Sequence, residues 1–375
     1  MLRTVNKLST KYITNRCFSS SKCSRNIIMQ YVIFILNITM LFFQIGTHDG
    51  TFHCDEVLAC YMLRRLPEYK DAEIVRSRDI EVLKACDIVV DVGAVFDHQK
   101  KRYDHHQREF NETLSSVRPE LGDKYQIKLS SAGLVYAFYG ERVIKEVAPK
   151  NYPMRPESLE LIFKKVYENF IEEIDAIDNG VPMTDEEPKY RIHTHLSARV
   201  HRLNPDWNTS ESVNTNILFK NAMKLVEEEF LFITNYYITV WLAAREFVKS
   251  AVKERFDVHE SGQILYFNGH FPWKDHLFEL EAEMGLANEV KYVVFNDKPN
   301  SWRVQAVPLT PGSFVLRKPL HADWRGVRDE ELSNVAGIPD CIFCHTSGFI
   351  GGNKTKDGAI AMALASLKAQ NCIDQ

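Results

Sequence analysis

An α/β fold with a parallel sheet is what this chain predicts, on three observations. Short apolar runs alternate with amphipathic helical runs, and one short run, Asp87 to Val92, is apolar on successive residues. That pattern marks a strand buried on both faces, as parallel strands are when helices cover them. The run ends at Asp91, and a carboxylate at the carboxyl end of a parallel strand stands where open α/β sheets place ligands.

The whole chain sets bounds on this reading. Its 375 residues are enough for two domains and a sizeable core. Hydrophobic content of 45% and charged content of 26% are ordinary for a soluble globular protein. A formal net charge of −4 excludes a globally basic body, so contact with nucleic acid would come from a local patch or from metal ions. The eight cysteines lack a repeated spacing, which excludes a disulfide framework and fits a reducing compartment.

In chain order, residues 1–45 stand apart. No acid precedes Asp49, while Arg3, Lys7, Lys11, Arg16, Lys22 and Arg25 lie among Ser and Thr, the composition of a mitochondrial transit peptide. Ile27 to Ile45 has four readings: targeting, a membrane segment approaching the ~20 residues that span a bilayer, a strand over Thr39 to Ile45, or an artefact of the gene model. The loop Gly46 to Glu56 follows, with His48, His53 and Asp55 in one short stretch. Cys54 to Leu66 then reads as a helix, with Leu58, Tyr61, Met62 and Arg65 on one face and Pro67 as its stop. Ala72 to Ser77 and Asp87 to Val92 read as strands.

Asp104-His105-His106 comes next, and histidine is the commonest transition-metal ligand. Neighbouring side chains diverge, so one histidine would ligate while the other meets substrate or moves a proton. Helices are expected over Lys128 to Glu146 and Leu159 to Ile177. The second carries an apolar stripe of Leu159, Phe163, Val166, Phe170, Ile174 and Ile177. Asp175 and Asp178 sit at its end, where acids oppose the helix dipole at a cost of roughly 0.3–1 kcal/mol. That misfit favours a functional role for at least one. Imidazoles and carboxylates in four separated clusters are what a site for two divalent ions needs, and imidazole suits Mn, Fe or Zn.

Arg199 and Arg202, beside His193, His195 and His201, are candidate phosphate contacts. Asn214 to Phe256 reads as a long connecting helix. From Gln263 onward short strands return at Ile264 to Phe267, Tyr292 to Phe295, Arg303 to Pro308 and Cys341 to His345. A glycine loop at Gly351-Gly352 feeding a helix from Gly358 to Leu367 is expected as an anion site. The linear division is therefore 1–45, 46–213, 214–260 and 261–375.

Taken together, Gly46-Thr-His-Asp-Gly-Thr-Phe-His-Cys-Asp-Glu56, Asp87-Ile-Val-Val-Asp-Val-Gly93, Tyr103-Asp-His-His-Gln107 and Ile174-Asp-Ala-Ile-Asp-Asn-Gly180 resemble the Myg (melanocyte proliferating gene) family. Leu196-Ser-Ala-Arg-Val200, Trp324-Arg-Gly-Val-Arg-Asp-Glu330 and Ser347-Gly-Phe-Ile-Gly-Gly352 extend the resemblance to the C-terminus. It implies a branch of the DHH phosphoesterases, with a Rossmann-like domain, a smaller α/β substrate-binding domain, and the active site between them. It implies a metal-dependent 3′→5′ RNA exonuclease using two divalent ions, manganese or magnesium, in mitochondria and in the nucleus or nucleolus. Single-stranded RNA would be the partner, with no organic cofactor and no membrane.

Carried over by residue, the metal ligands would be His48, His53, Asp55, Asp91, His105 and Asp178, with Asp175 as the alternative to Asp178. Asp104 would orient or ligate, and His106 would lie near the scissile phosphate, so that Asp104, His105 and His106 form the catalytic group. Arg199, Arg202, Arg325, Gly351 and Gly352 would hold the terminal nucleotide, and His345 or Lys354 would replace a histidine absent from the glycine loop. Two other readings stand beside this one. The same metal site would serve pyrophosphate, a cyclic dinucleotide or a short oligonucleotide, or the fold would be a non-catalytic RNA-binding protein.

Overall fold

The computed structural model describes residues 43–152, 154–209, 213–286 and 288–369. The targeting and membrane readings of residues 1–42 lie outside them. No helix among the described residues is long and apolar enough to cross a membrane. The chain divides into two compact units, one of residues up to Ala137 with Asp175–Met223, the other of Phe138–Ile174 with Lys224 onward. This division crosses the linear one, because side chains far apart in sequence pack together. Lys165 pairs with Glu279 at 2.9 Å and His276 stacks on Trp241 at 4.0 Å, which joins residues 138–174 and most of 214–260 to the second unit.

The first unit is built on a five-stranded sheet of β1 (Gln44–Thr47), β2 (Glu73–Arg76), β3 (Ile88–Val90), β4 (Phe96–Asp97) and β5 (Arg102–Tyr103) in the order β2-β1-β3-β5-β4. β1 runs parallel to β2 and β3, β3 runs parallel to β5, and only the edge strand β4 is antiparallel. The apolar triplet of β3 is wholly buried, as its unbroken hydrophobicity requires. The strand order reverses at β1, so the connections that follow the parallel β1 and β3 run to opposite sides of the sheet and open a crevice at the two carboxyl ends. His48 follows β1 and Asp91 follows β3 directly.

In the second unit β6 (Ile264–Phe267), β7 (Tyr292–Lys298), β8 (Ser301–Ala306), β9 (Cys341–Cys344) and β10 (Ile350–Asn353) form a sheet in the order β6-β7-β8-β10-β9. Here only β6 and β7 are parallel, and the other pairs are antiparallel. Alternate residues of β7 serve two cores. Tyr292 and Val294 pack with Met362 and Ala363 of the Lys356–Lys368 helix. Val293 and Phe295 pack with Leu277 and Leu280 of the Lys274–Met284 helix. Cys341 and Cys344 are buried free thiols in β9, in line with the strand expected there.

Most expected elements are present, with three differences. The Lys128 to Glu146 helix begins at Ser131, because Ser130 N–H and Oγ are held by Asp175 outside any helical ladder. Both long helices contain a π turn, at Tyr167–Ile171 and Tyr237–Trp241. A π turn inserts one residue and rotates the face beyond it, so Ile171 is buried whereas Ile177, placed in the stripe by a regular period, is 38% exposed. Third, Gly351 and Gly352 lie within β10 rather than in a loop. A Cβ on Gly351 would meet Leu320 and Met362 at 3.0 Å, and one on Gly352 would meet Phe343 at 3.0 Å. These glycines admit close packing across the sheet, and the anion-loop expectation for them is corrected.

Candidate metal centre

The loop between β1 and the Cys54–Arg65 helix supplies His48, His53, Asp55 and Glu56. Its geometry is set locally. His53 is the N-cap, and its backbone N–H donates to Glu56 Oε1 and Oε2 at 2.9 and 3.0 Å, one half of a capping box. Two residues outside the loop fix its backbone further. Asn204 accepts from Phe52 N–H and donates to Phe52 O, both at 2.9 Å, and Arg76 donates to His48 O and Gly50 O at 3.3 and 2.6 Å.

Asp91 enters from the end of β3 with its backbone in the left-handed region, φ 57°. Such a conformation in a non-glycine residue costs on the order of 1 kcal/mol and recurs at functional sites. Its two oxygens face different imidazoles, Oδ2 lying 3.4 Å from His48 Nε2 and Oδ1 3.3 Å from His105 Nε2. His48 Nε2 also lies 3.1 Å from Glu56 Oε1, and His105 Nε2 lies 3.0 Å from Asp178 Oδ2. Each imidazole has its other nitrogen committed: His48 Nδ1 donates to Asp49 O at 2.8 Å, and His105 Nδ1 to Asn179 Oδ1 at 3.2 Å. Both rings therefore aim Nε2 at the carboxylates, the arrangement by which outer partners orient metal-binding histidines.

The surroundings do the same for the acids. Ser131 N–H donates to Asp55 Oδ2 at 3.3 Å and Ser131 Oγ to Asp91 Oδ1 at 3.2 Å. Asp104 does not face the cluster's centre. Its Oδ1 accepts from His106 N–H and Nδ1 at 3.1 and 2.8 Å, and its Oδ2 from Ala94 N–H at 2.6 Å. Asp104 thus orients His106, whose ring is half exposed beside the buried His105.

Burial sets the electrostatics. It disfavours charge on His48 and His105, yet the carboxylates around them outweigh it and push both up to about 10. Asp91, likewise opposed by burial, is held well below the usual carboxylate range by the His105 and His48 imidazoles beside it. Burial first, then the charges of Asp91, Asp178 and Glu56, push Asp55 well above its ordinary value. Like charges packed together are costly unless a cation shares them.

Three overlapping groups have ligand atoms within 4.8 Å of one another: His48, His53, Glu56 and Asp91; Asp91, His105 and His106; and His53, Asp55 and Asp178. Asp55 Oδ1 and His105 Nε2 are buried without a hydrogen bond. A mixed imidazole and carboxylate set with an acid surplus and unsatisfied donor atoms fits divalent cations such as manganese. Asp91, whose oxygens face both sides, has the placement of a bridging carboxylate.

The structure thus brings together His48, His53, Asp55, Asp91, His105, His106 and Asp178. It does not bring in Asp175, whose Oδ1 accepts from Ser130 N–H and Oγ at 2.9 and 2.6 Å. A Cβ at position 133 would lie 2.3 Å from the same carboxylate, so Gly133 is required by its approach. Asp175 is corrected from ligand to buried support. Glu56, Ser131 and Asn179 were not expected. Glu56 alone had a signal in the sequence, since it is the third helical residue after His53, where a capping acid belongs.

Arg199 is half-buried in the Leu196–His201 helix, and the exposed Arg202 donates to Ala198 O and His193 O of its own segment. Within the second unit, Arg325 Nε donates to Leu320 O at 3.3 Å, His345 Nδ1 bonds Ser347 Oγ at 3.0 Å, and Lys354 pairs with Asp340 at 3.3 Å.

Comparison with known proteins places the chain. Residues 44–367 match the family model MYG1_exonuc, described as Uncharacterised protein family (UPF0160). "MYG1 exonuclease" of Bos taurus is 51% identical over 326 residues, covering 86% of this chain and 84% of that protein. "MYG1 exonuclease" of Homo sapiens is 49% identical over 334 residues, 88% of each. "MYG1 protein" of Dictyostelium discoideum is 46% identical, covering 86% of this chain and 96% of its own. The match begins at β1 and takes in every residue of the acid and imidazole cluster, and on this evidence the chain belongs to the MYG1 family.

Proposed function

We propose that this protein is a metal-dependent 3′→5′ exonuclease acting on single-stranded RNA, in mitochondria and in the nucleus or nucleolus. The observation that carries the reading is the acid surplus, buried Asp55, Glu56 and Asp91 with half-buried Asp178, around His48 and His105 at the carboxyl ends of β1 and β3. The names of the bovine and human relatives support exonuclease action.

His48, His53, Glu56 and Asp91 would hold one cation, and Asp55, Asp91, His105 and Asp178 a second. Bound there, two divalent ions would lower the pKa of a water and neutralise charge gathering on the phosphate. The protein's own groups do the rest. Asn179 and the Asp49 carbonyl fix the imidazole orientations, and Ser131 fixes two carboxylates. His106 is the exposed imidazole at the rim, charged more readily than usual because Asp104 hydrogen-bonds it. It would contact a phosphate oxygen or protonate a leaving oxygen.

The test uses the full chain with manganese and 5′-labelled single-stranded RNA, beside Asp178→Ala. Progressive shortening from the 3′ end, lost in the variant, is expected. Cleavage of pyrophosphate or cyclic dinucleotides with RNA left intact would overturn the reading in favour of a small substrate. A 5′-labelled single-stranded DNA of the same sequence tests the choice of RNA.

A further inference from the structure

The first unit also holds a feature of opposite charge. Beside its edge strand β2 lies a cavity of about 320 Å³, lined by Arg64, Glu73, Arg76, Asn216, Phe219 and Lys220 among others. Three cations meet one carboxylate there, in a chain whose net charge is −4. Each cation comes from a different element: Arg64 from the last turn of the Cys54–Arg65 helix, Arg76 from the end of β2, and Lys220 from the Thr215–Tyr236 helix. Asn216 lies in the first turn of that last helix, where the helix dipole favours negative charge.

The two arginines are under-satisfied. Arg64 Nε and Arg76 Nη1 are buried with no hydrogen-bond partner among the described residues. A buried cationic donor left unpaired costs free energy, and an anion in the adjoining cavity offsets that cost through its field, without needing to touch those atoms. Arg76 also reaches the other way. Its guanidinium lies beside the paired Phe52 and Phe219 rings, 5.6 and 4.9 Å from their centroids, and donates to His48 O and Gly50 O. One side chain therefore joins the cavity to the backbone of the loop that carries His48 and His53.

We propose that this cavity binds a small phosphomonoester of mononucleotide size, and that Arg76 transmits its occupancy to the metal-binding loop. The volume suits a small ligand, and three cations suit a group that carries up to two negative charges. The binding site stands by itself; the transmission rests on the reading of the acid cluster as a metal centre.

The experiment titrates adenosine 5′-monophosphate, and separately inorganic phosphate, into the full chain in excess chelator, followed by calorimetry. Chelation keeps phosphate from binding through metal ions, so the result does not depend on whether the protein is a nuclease. Saturable binding is expected, weakened about tenfold or more by Lys220→Glu or Lys220→Ala, since one charge-assisted contact is lost. Lys253→Glu, at an exposed lysine of the second unit, controls for net charge and is expected to bind as the parent does. Both Lys220 variants alter an exposed side chain, so a shared loss with unchanged melting reports the site and not the fold. In a second titration, the nucleotide is expected to change manganese affinity at least threefold in the parent protein and not in Lys220→Glu. Absence of saturable binding, or binding by both Lys220 variants as tight as the parent's, overturns the site. Binding of single-stranded RNA that Lys220→Glu weakens, with both small anions silent, assigns the cavity to a polymer backbone and overturns it equally. Manganese affinity unmoved by bound nucleotide overturns the transmission alone.

Discussion

In the second unit Arg317 and Glu281 are almost wholly buried and face each other through two hydrogen bonds of 2.7 Å. Lys165 and Arg245 share Glu279 in the same manner, at 2.9 and 2.7 Å. In the first unit Asp55, Glu56, Asp91 and Asp178 crowd two buried imidazoles, and the Asp55 carboxyl is pushed well above its usual pKa, first by burial and then by the other acids. Charge matched to a partner belongs to the packing of the second unit. Charge left in surplus is held in place by Ser131, Asn179 and the loop backbone, a structure that retains repulsion which a cation would relieve.

If that contrast holds, the largest effect is on stability and belongs to the second unit. Glu281→Ala leaves Arg317 buried without its partner and is expected to cost about 3–5 kcal/mol in denaturant unfolding. A loss under about 1 kcal/mol would show the pair to behave as a surface one. Asp91→Asn in the first unit is expected to lower manganese affinity by about 100-fold or more, seen by titration of the purified protein. Asp55→Asn sharpens the contrast by its sign. Removing one of the crowded acids is expected to stabilise the metal-free protein by about 1 kcal/mol while weakening metal binding, and destabilisation in chelator would contradict the surplus. Thr355→Ala removes the side-chain cap of the Lys356–Lys368 helix, 3.0 Å from Gly358 N, and is expected to cost about 1 kcal/mol with metal affinity unchanged.

The smallest effect is one of pH. His276 is fully buried, donates from Nε2 to Trp241 O at 2.7 Å, and has no hydrogen bond at Nδ1. Burial holds its pKa below the ordinary 6.5, with Arg245 acting in the same direction and Trp241 O, Glu279 and Asp275 opposing. As pH falls through 6.5 the unfolded chain takes the proton first, so stability is intact above that value and lost on acidification below it. His276→Gln, which retains a donor, is expected to melt with a shallower dependence between about pH 7.5 and 5.5.

Much of this was legible in the residues, and what was not has a common cause. The loop from Gly46 to Glu56, Asp91 at a strand end and the Asp104-His105-His106 run stood out because each keeps its chemistry within a few residues. Most strands of both sheets showed through their apolar runs; β1 did so only as one of four readings of Ile27 to Ile45, and β4, β5 and β10, two residues long or glycine-rich, did not. Asp175 and Asp178 share one local setting, and no local rule separates them. Ser130 binds one and His105 faces the other, across 45 and 73 positions of chain.

By itself, then, the sequence determined the element types, the parallel strand ending in Asp91 and a set of imidazoles and carboxylates fit for divalent cations. Those follow from periodicity and side-chain chemistry, which act over a turn or a strand. Only the tertiary structure decided which acids converge, that Gly351 and Gly352 pack within a strand, that two helices shift phase at π turns, and that Arg76 ties a cationic cavity to the acidic loop. Each of these depends on atoms brought within a few ångströms by the folding of distant segments, and on the cost of burying charge once they meet.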